Sequence, residues 1–431
     1  MLIKASLLLF ILGFTYAGVS QSPFLNIRIT AQDNNGFSYP PCEPSIHVSA
    51  HNPSRIVAGT ILDGFHVSAD SGKTWISGQL TSPLGVYGDP CVTGNMKGDF
   101  FYCHLGDPAG KGWGSESLLD CIVCQRSDDG GLTWDDGKAA GNNPPRDQDK
   151  EWAVCTPNSR HIYMSWTQFD KYESTNPTDS TNILFSRSCR KMKKWKKALR
   201  INQFAGNCLD DDGTAEGAVP ASGMKNEVYV AWALNETIWF DRSLNRGKKW
   251  LDKDIPAATI YGGWNQTIPG IMRANGMPVL VSDLSGGNRN GFLYLCWSDT
   301  RNGESNTDVW FSYSSDKGSS WSDPIRVNSD AGEAHQFFPW MAVDQTNGDL
   351  HIVFYDRRRN EGLATDVYLA SSSDGGIRWT NERISESPFE PTDRVFFGDY
   401  NNISAHGGVV RPIWTRCEGG RLSVWTALIN R

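Results

Sequence analysis

One eight-residue pattern recurs along the 431-residue chain and restricts its fold more than any other feature. Serine, any residue, aspartate, any residue, glycine, two further residues and tryptophan occur at 68–75, 127–134, 314–321 and 372–379. Two degenerate copies fill the gap: 243–250 carries Asn245 in place of the aspartate, and 188–195 keeps only Ser188 and Trp195. The closing tryptophans Trp75, Trp134, Trp195, Trp250, Trp321 and Trp379 stand about 55 to 70 residues apart, a period that marks a repeated supersecondary unit. The aspartate can accept hydrogen bonds from turn N–H groups, the glycine permits a positive φ, and the tryptophan packs beneath the turn. The pattern therefore reads as a hairpin staple, and none of its aspartates is expected to do chemistry.

Each copy sits in the same larger grammar. A short strand (A) precedes a second, aromatic and β-branched one (B), as at 161–166, 227–232, 292–297 and 350–355; a third (C) runs into the box, and a fourth (D) follows the tryptophan. The A strands are expected to begin near Pro44, Pro90, Glu151, Gly217, Ile271, Phe338 and Gly398, the fifth being the least regular. The last module ends without a D strand, and residues 24–30 alternate in polarity and belong to no complete module. The expectation is an all-β, seven-bladed β-propeller closed by this N-terminal strand, which hides both sheet edges. Six blades, with one module an insertion, is the alternative. The 43 glycines and 17 tryptophans suit such a fold of many short strands.

Residues 1–20 read as an export signal, with Lys4 before an apolar stretch at 7–14 and a cleavage point after Ala17 or Ser20. Residues 21–431 then form a single propeller domain, secreted and without stable membrane insertion. Ten cysteines in an exported chain favour disulfides, with Cys91–Cys103, Cys189–Cys208 and Cys42–Cys417 as the pairings adjacency suggests. Zinc at Cys121 and Cys124 lacks a second ligand pair. Asn235, Asn265 and Asn402 begin glycosylation sequons. The net charge of −7 argues against a nucleic-acid partner; the lysines at 191–197 read as a solvated hairpin edge.

Strand direction selects the functional face. Box turns and A–B turns share one face, and the longer D–A and B–C loops, such as 106–118, 169–181 and 298–307, share the other. There the A starts carry Glu43, Asp89, Asp149, Glu151, Glu216 and Asp399. The B ends carry His104, Asp170, Glu236, Asp299, Arg301, Tyr355, Asp356, Arg357, Arg358 and Arg416. Carboxyls in one pocket raise each other's pKa and serve as acid or base, which suits Glu216 or Asp149. Arg301, Arg357 and Arg416 are expected to clamp a substrate carboxylate, while Tyr355 or Tyr400 is the candidate nucleophile. His104 and Asp399 complete the expected binding set. The structural alternative is that inner-strand carboxyls cap loop N–H groups and that Arg357 pairs with Asp356. No metal ligands are assigned and no cofactor is required; Ca²⁺ near Asp210, Asp211 and Asp212, or among the mouth carboxyls, stays open.

The boxes resemble those of the sialidase (neuraminidase) superfamily, also called BNR-repeat proteins. The chain is similar to exported sialidase-like proteins through Gln148-Asp149-Lys150-Glu151-Trp152, Glu216-Gly217-Ala218-Val219-Pro220, Ile268-Pro269-Gly270, Phe354-Tyr355-Asp356-Arg357-Arg358 and Phe397-Gly398-Asp399-Tyr400. The resemblance implies a glycoside hydrolase acting on a terminal acidic sugar of a glycan or glycoconjugate. The acid/base and the tyrosine–glutamate nucleophile pair of that family match no motif here; blade geometry alone offers Asp89 or Asp149 for the first and Tyr355 or Tyr400 with Glu216 for the second. The chain departs from that family at Asn26-Ile27-Arg28-Ile29-Thr30, where Thr30 stands in place of a proline, and in its seventh module. A polysaccharide lyase for uronic-acid glycans, with His104 or a tyrosine as base, and a non-catalytic glycan- or protein-binding propeller are the alternatives.

Overall fold

The computed structural model describes residues 22–32 and 39–431; the export signal expected at 1–20 lies outside them. Seven antiparallel sheets, each of four main strands, surround one axis. Their innermost strands are Ser45–Val48, Cys91–Gly94, Asp147–Cys155, Glu216–Ser222, Val279–Ser282, Gln336–Val343 and Asn402–His406. Each packs against the next, and the last packs against the first. Side chains stitch the ring, as where Val92 N donates to Ser45 Oγ at 2.9 Å and Val48 N donates to Ser404 Oγ at 2.9 Å. The B strands lie between neighbouring blades and are buried on both faces, which explains runs such as Leu293–Asp299 in which every residue is buried.

Closure follows the sequence expectation. Strand Asn26–Ala31 pairs with Arg421–Ala427 as the outermost strand of blade 7. The fifth inner strand is a correction: it begins at Val279, not near Ile271. The intervening segment is an insertion whose hairpin pairs Asn265–Gln266 with Ala274–Asn275.

The boxes are built as their chemistry requires. In blade 5 Ser314 Oγ donates to Asp316 Oδ1 at 2.8 Å, Gly318 N donates to Ser314 Oγ at 2.8 Å, and Ser320 N donates to Asp316 Oδ1 at 2.9 Å. The tryptophan also reaches the preceding blade: Trp321 lies edge-on to Phe240 at 5.4 Å, and Trp379 to Phe311 at 5.2 Å. Gly318 has φ +81°, and a Cβ there would stand 2.2 Å from Phe240. Gly318→Ala is therefore expected to cost about 1–3 kcal/mol. Asp316→Asn should cost less than about 1 kcal/mol, because Asn245 already makes the same bonds in its own box. Urea denaturation of the two variants checks this ranking.

All ten cysteines are free thiols, so the expected disulfides are absent. Cys91, Cys103 and Cys124 instead form a row across blade 2, with Cys103 Sγ 3.0 Å from Cys124 Sγ. Cys189 ends strand Thr181–Cys189, whereas Cys208 bridges to Ser174 beyond that strand's other end. Asn235 and Asn265 are exposed, but Asn402 is buried and accepts from Ile46 N, which withdraws its side chain from glycosylation. Among the described residues no helix is long and apolar enough to cross a membrane.

Candidate active site

Six of the seven inner strands are approached through a residue with left-handed φ: Glu43 (48°), Asp89 (48°), Lys150 (53°), Gly217 (68°), Phe338 (49°) and Gly398 (94°). Register shifts between Asp149 and Trp152, and between Glu216 and Val219, accompany the kink. Four of these residues are not glycine, so the backbone holds strain at one ring of positions. The same ring brings charged side chains of different blades into contact.

Asp399 of blade 7 is the hub. Lys150 Nζ of blade 3 reaches its Oδ2 at 2.7 Å and lies 3.9 Å from Asp89 Oδ2 of blade 2. Arg273, carried on the insertion before blade 5, donates from Nε to Asp399 Oδ1 at 2.8 Å and from Nη2 to Oδ2. Its Nη1 reaches Asp210 Oδ2 at 3.2 Å, which also accepts from the Tyr172 hydroxyl at 2.7 Å. Asp399 N donates to Glu43 Oε1 at 3.1 Å. Burial opposes the charge of Asp399, but Arg273 and Lys150 outweigh it and hold the carboxyl well below the usual range.

Four neighbouring carboxyls behave oppositely. Burial, reinforced by Asp89 and Asp210 against Lys150 and Arg273, pushes Asp149 up to about 7. Burial also raises Glu43, Glu151 and Glu216 well above their ordinary values. Among the described residues neither oxygen of Glu151 or Glu216 meets a hydrogen-bond donor. The Tyr400 hydroxyl, buried beside Glu43, Asp89 and Glu151, likewise has no hydrogen-bond partner among the described residues. Among the described residues seven carboxyls thus share the mouth with two cations, and burial disfavours the charged form of Asp149, Glu43, Glu151 and Glu216.

This arrangement sets a pH dependence. A carboxyl whose pKa is higher folded than unfolded makes the native state bind more protons between the two values. Stability then falls as pH rises, by up to about 1.4 kcal/mol per pH unit for each such group. Asp399 acts in the other direction, but its contribution is lost only below the ordinary carboxylate range. The melting temperature is therefore expected to fall between pH 5 and 8, and Glu151→Gln should flatten the slope in calorimetry.

Only part of the expected site assembles. Glu216, Asp149, Asp89, Asp399 and Tyr400 lie within electrostatic reach of one another around Lys150. The B-end groups do not: the three arginines and Tyr355 bond partners outside the charged cluster. Arg301 Nη2 lies 2.6 Å from Asp299 Oδ2 and its guanidinium 4.1 Å from the Trp310 ring. Arg357 Nε donates to Thr365 Oγ1 at 3.0 Å. Arg416 Nε bonds Glu418 Oε1 at 2.7 Å, and Nη2 bonds Ser387 Oγ. Among the described residues the three arginines share no partner. Tyr355 is buried among Phe337, Phe389 and Phe397 and donates to Thr415 O at 2.7 Å. His104 is fully buried, bonds Leu105 O, and is held neutral by burial, at about 4. Arg28 lies on the outermost strand of blade 7.

Lys150, Arg273, Asp210 and Tyr172 were not among the expected catalytic or binding residues. Lys150 stands between Asp149, which was, and Glu151, which was named only as an A-strand start; Asp210 opens the acidic run, and Tyr172 lies in the long loop 169–181. Arg273 had no signal beyond the irregularity of its module. The acidic run is divided among separate tasks: Asp211 Oδ1 accepts from Asn207 and Gly213 N, and Asp212 Oδ1 from Glu236 N and Trp264 N. Among the described residues no group of three His, Cys, Asp or Glu is placed to hold a metal ion.

Trp152 and Trp340, with ring centroids 4.2 Å apart, and Tyr400, 5.0 Å from Trp152, form an aromatic layer beneath the charged mouth. Under it a cavity of about 410 Å³, lined by Val48, Val92, Val154, Val281 and Val343 among others, follows the axis toward the box face.

No protein-family model matches the chain, and no curated protein matches it in sequence. Solved structures share its fold. A polysaccharide lyase of family PL25, an ulvan lyase, has a TM-score of 0.55 at 11% identity over 92% of this chain and 95% of that one. The same kind of lyase bound to -[GlcA(1-4)Rha3S]- scores 0.54 at 11% identity, over 94% and 96%. The Hadza microbial sialidase Hz136 scores 0.47 at 13% identity, over 87% and 73%. At these identities the likeness is one of fold and assigns the chain to no single family.

Proposed function

We propose that the chain is a secreted enzyme that cleaves uronic-acid polysaccharides by β-elimination at the axial mouth. The observation carrying this reading is a buried carboxyl, Asp149, poised at about 7 within the electrostatic field of Lys150 and the Arg273 guanidinium, the latter's side chain being 42% exposed. The lyase likeness over nearly the whole of both chains is consistent with it. A uronate carboxylate would meet Arg273, whose charge offsets the negative charge that develops when the neighbouring C–H is broken. Ionised Asp149 would take that α proton. The released electron pair forms the C=C bond, the C–O bond to the leaving sugar breaks, and Tyr172 gives its proton to the leaving oxygen. Water then returns the proton to Tyr172 and removes the one on Asp149. Glu216, Asp89 and Tyr400 would hold the surrounding proton network, and Lys150 with Asp399 the fixed charges.

Hydrolysis is the second reading. It is favoured by one observation, the separation of Asp149 from Asp399 in proton affinity, which matches an acid and an ionised partner. The sialidase-type version on a terminal acidic sugar loses its support, since Arg301, Arg357 and Arg416 are engaged elsewhere. Incubation with a glucuronate–rhamnose-3-sulfate polymer separates the readings. Elimination yields an unsaturated product that absorbs in the near ultraviolet. New reducing ends without absorbance assign hydrolysis, and binding without either product assigns a binding propeller.

A further inference from the structure

Trp113 is 69% exposed, the most exposed of the large apolar residues among those described, yet its backbone is closely fixed. It sits in a single 3₁₀ turn, Gly112–Gly114, at the tip of the blade 2 loop between strands B and C. Gly112 N donates to a carboxylate oxygen of the buried Asp107 at 2.7 Å, and Ser115 N donates to Gly112 O at 2.8 Å. Gly112 has φ +56°, and a Cβ there would stand 2.9 Å from the Tyr87 hydroxyl. The base of the loop is pinned by Gly106 N to Cys121 O and Leu119 N to Gly106 O, with Leu118 and Leu119 buried.

The indole does not stand alone. Its ring lies 5.7 Å from that of Tyr172 at an interplanar angle of 32°, and edge-on to Tyr87 at 6.3 Å. Tyr172 in turn donates to Asp210, which Arg273 also meets. A continuous aromatic surface therefore runs from solvent into the charged mouth. A large apolar face kept in water on a rigid loop is a marker of binding. The chemistry that matches it is a pyranose ring, which has an apolar C–H face and polar edges.

We propose that Trp113, with Tyr172 and Tyr87 behind it, is a stacking subsite for a sugar ring of a glycan chain whose next unit enters the axial mouth. This rests on the glycan reading of that mouth. The ring lies flat on the indole, its hydroxyls stay in water, and the chain direction is set by the line from Trp113 to Asp210.

The test is calorimetric titration of a glucuronate–rhamnose-3-sulfate tetrasaccharide into the full chain carrying Asp149→Asn, alone and combined with Trp113→Ala or Trp113→Phe. The alanine variant should bind about tenfold more weakly and the phenylalanine variant within about threefold of the parent. Circular-dichroism melting should be unchanged, because the side chain packs mainly against solvent. Equal affinity for the parent and the alanine variant overturns the subsite, as does failure of the parent to bind the tetrasaccharide. Weakened binding in a protein that shows no turnover when Asp149 is intact keeps the subsite and overturns the elimination reading alone.

Discussion

Asparagine at position 149 is expected to lower kcat at neutral pH by about 10²- to 10⁴-fold, the range associated with losing a positioned general acid or base. The substitution preserves shape and replaces the titratable carboxyl with an amide that cannot take up a proton near neutrality. It also removes a group that burial keeps near half-ionised at neutrality, so folding should not suffer. Because the proposed role needs the ionised form, the wild-type rate should rise with pH through about 7. The residual rate of the variant should be flat over the same range. Steady-state kinetics on the uronate polymer between pH 5 and 9 supplies both readings. A variant that keeps more than a tenth of the activity removes Asp149 from the chemistry, whatever the reaction is.

The second large effect is on stability. Asp399→Ala should destabilise the protein by about 3–5 kcal/mol, as breaking a buried ion pair from one side does. Lys150 is the reason: its side chain is 5% exposed, and Asp399 is the only group within hydrogen-bond distance of its ammonium among the described residues. Arg273 is 42% exposed and can turn toward water. Removing the stranded charge as well, in Asp399→Ala with Lys150→Met, should therefore recover at least half of the loss. Urea denaturation of the single and double variants measures this. A loss under about 1 kcal/mol for Asp399→Ala would mean that water reaches the hub and that its charges are not held by the protein.

These two residues also show what a sequence of this kind reveals. The boxes are visible because their physics is local, with every bond closing within a few residues. The closing strand was visible because residues 24–30 alternate in polarity without a module of their own. Convergence of the A-start carboxyls followed from the period alone. The hub did not, since Lys150 and Arg273 meet Asp399 across 249 and 126 residues. The arginines at the B ends misled for a related reason. Long side chains fold back onto local partners, as Arg301 does on Asp299 and Trp310, and strand order does not reveal that. The insertion before blade 5 displaced the fifth inner strand and concealed Arg273 in a stretch that resembled the strand itself.

The most direct test is the proton on Asp149 itself. Infrared difference spectra of wild type against Asp149→Asn, taken across pH, isolate the carbonyl stretch of that one protonated carboxyl. Burial among carboxyls gathered from separate blades predicts a signal that persists at pH 6 and titrates with a midpoint near 7. A signal already lost by about pH 5, as for an ordinary solvated aspartate, would contradict it.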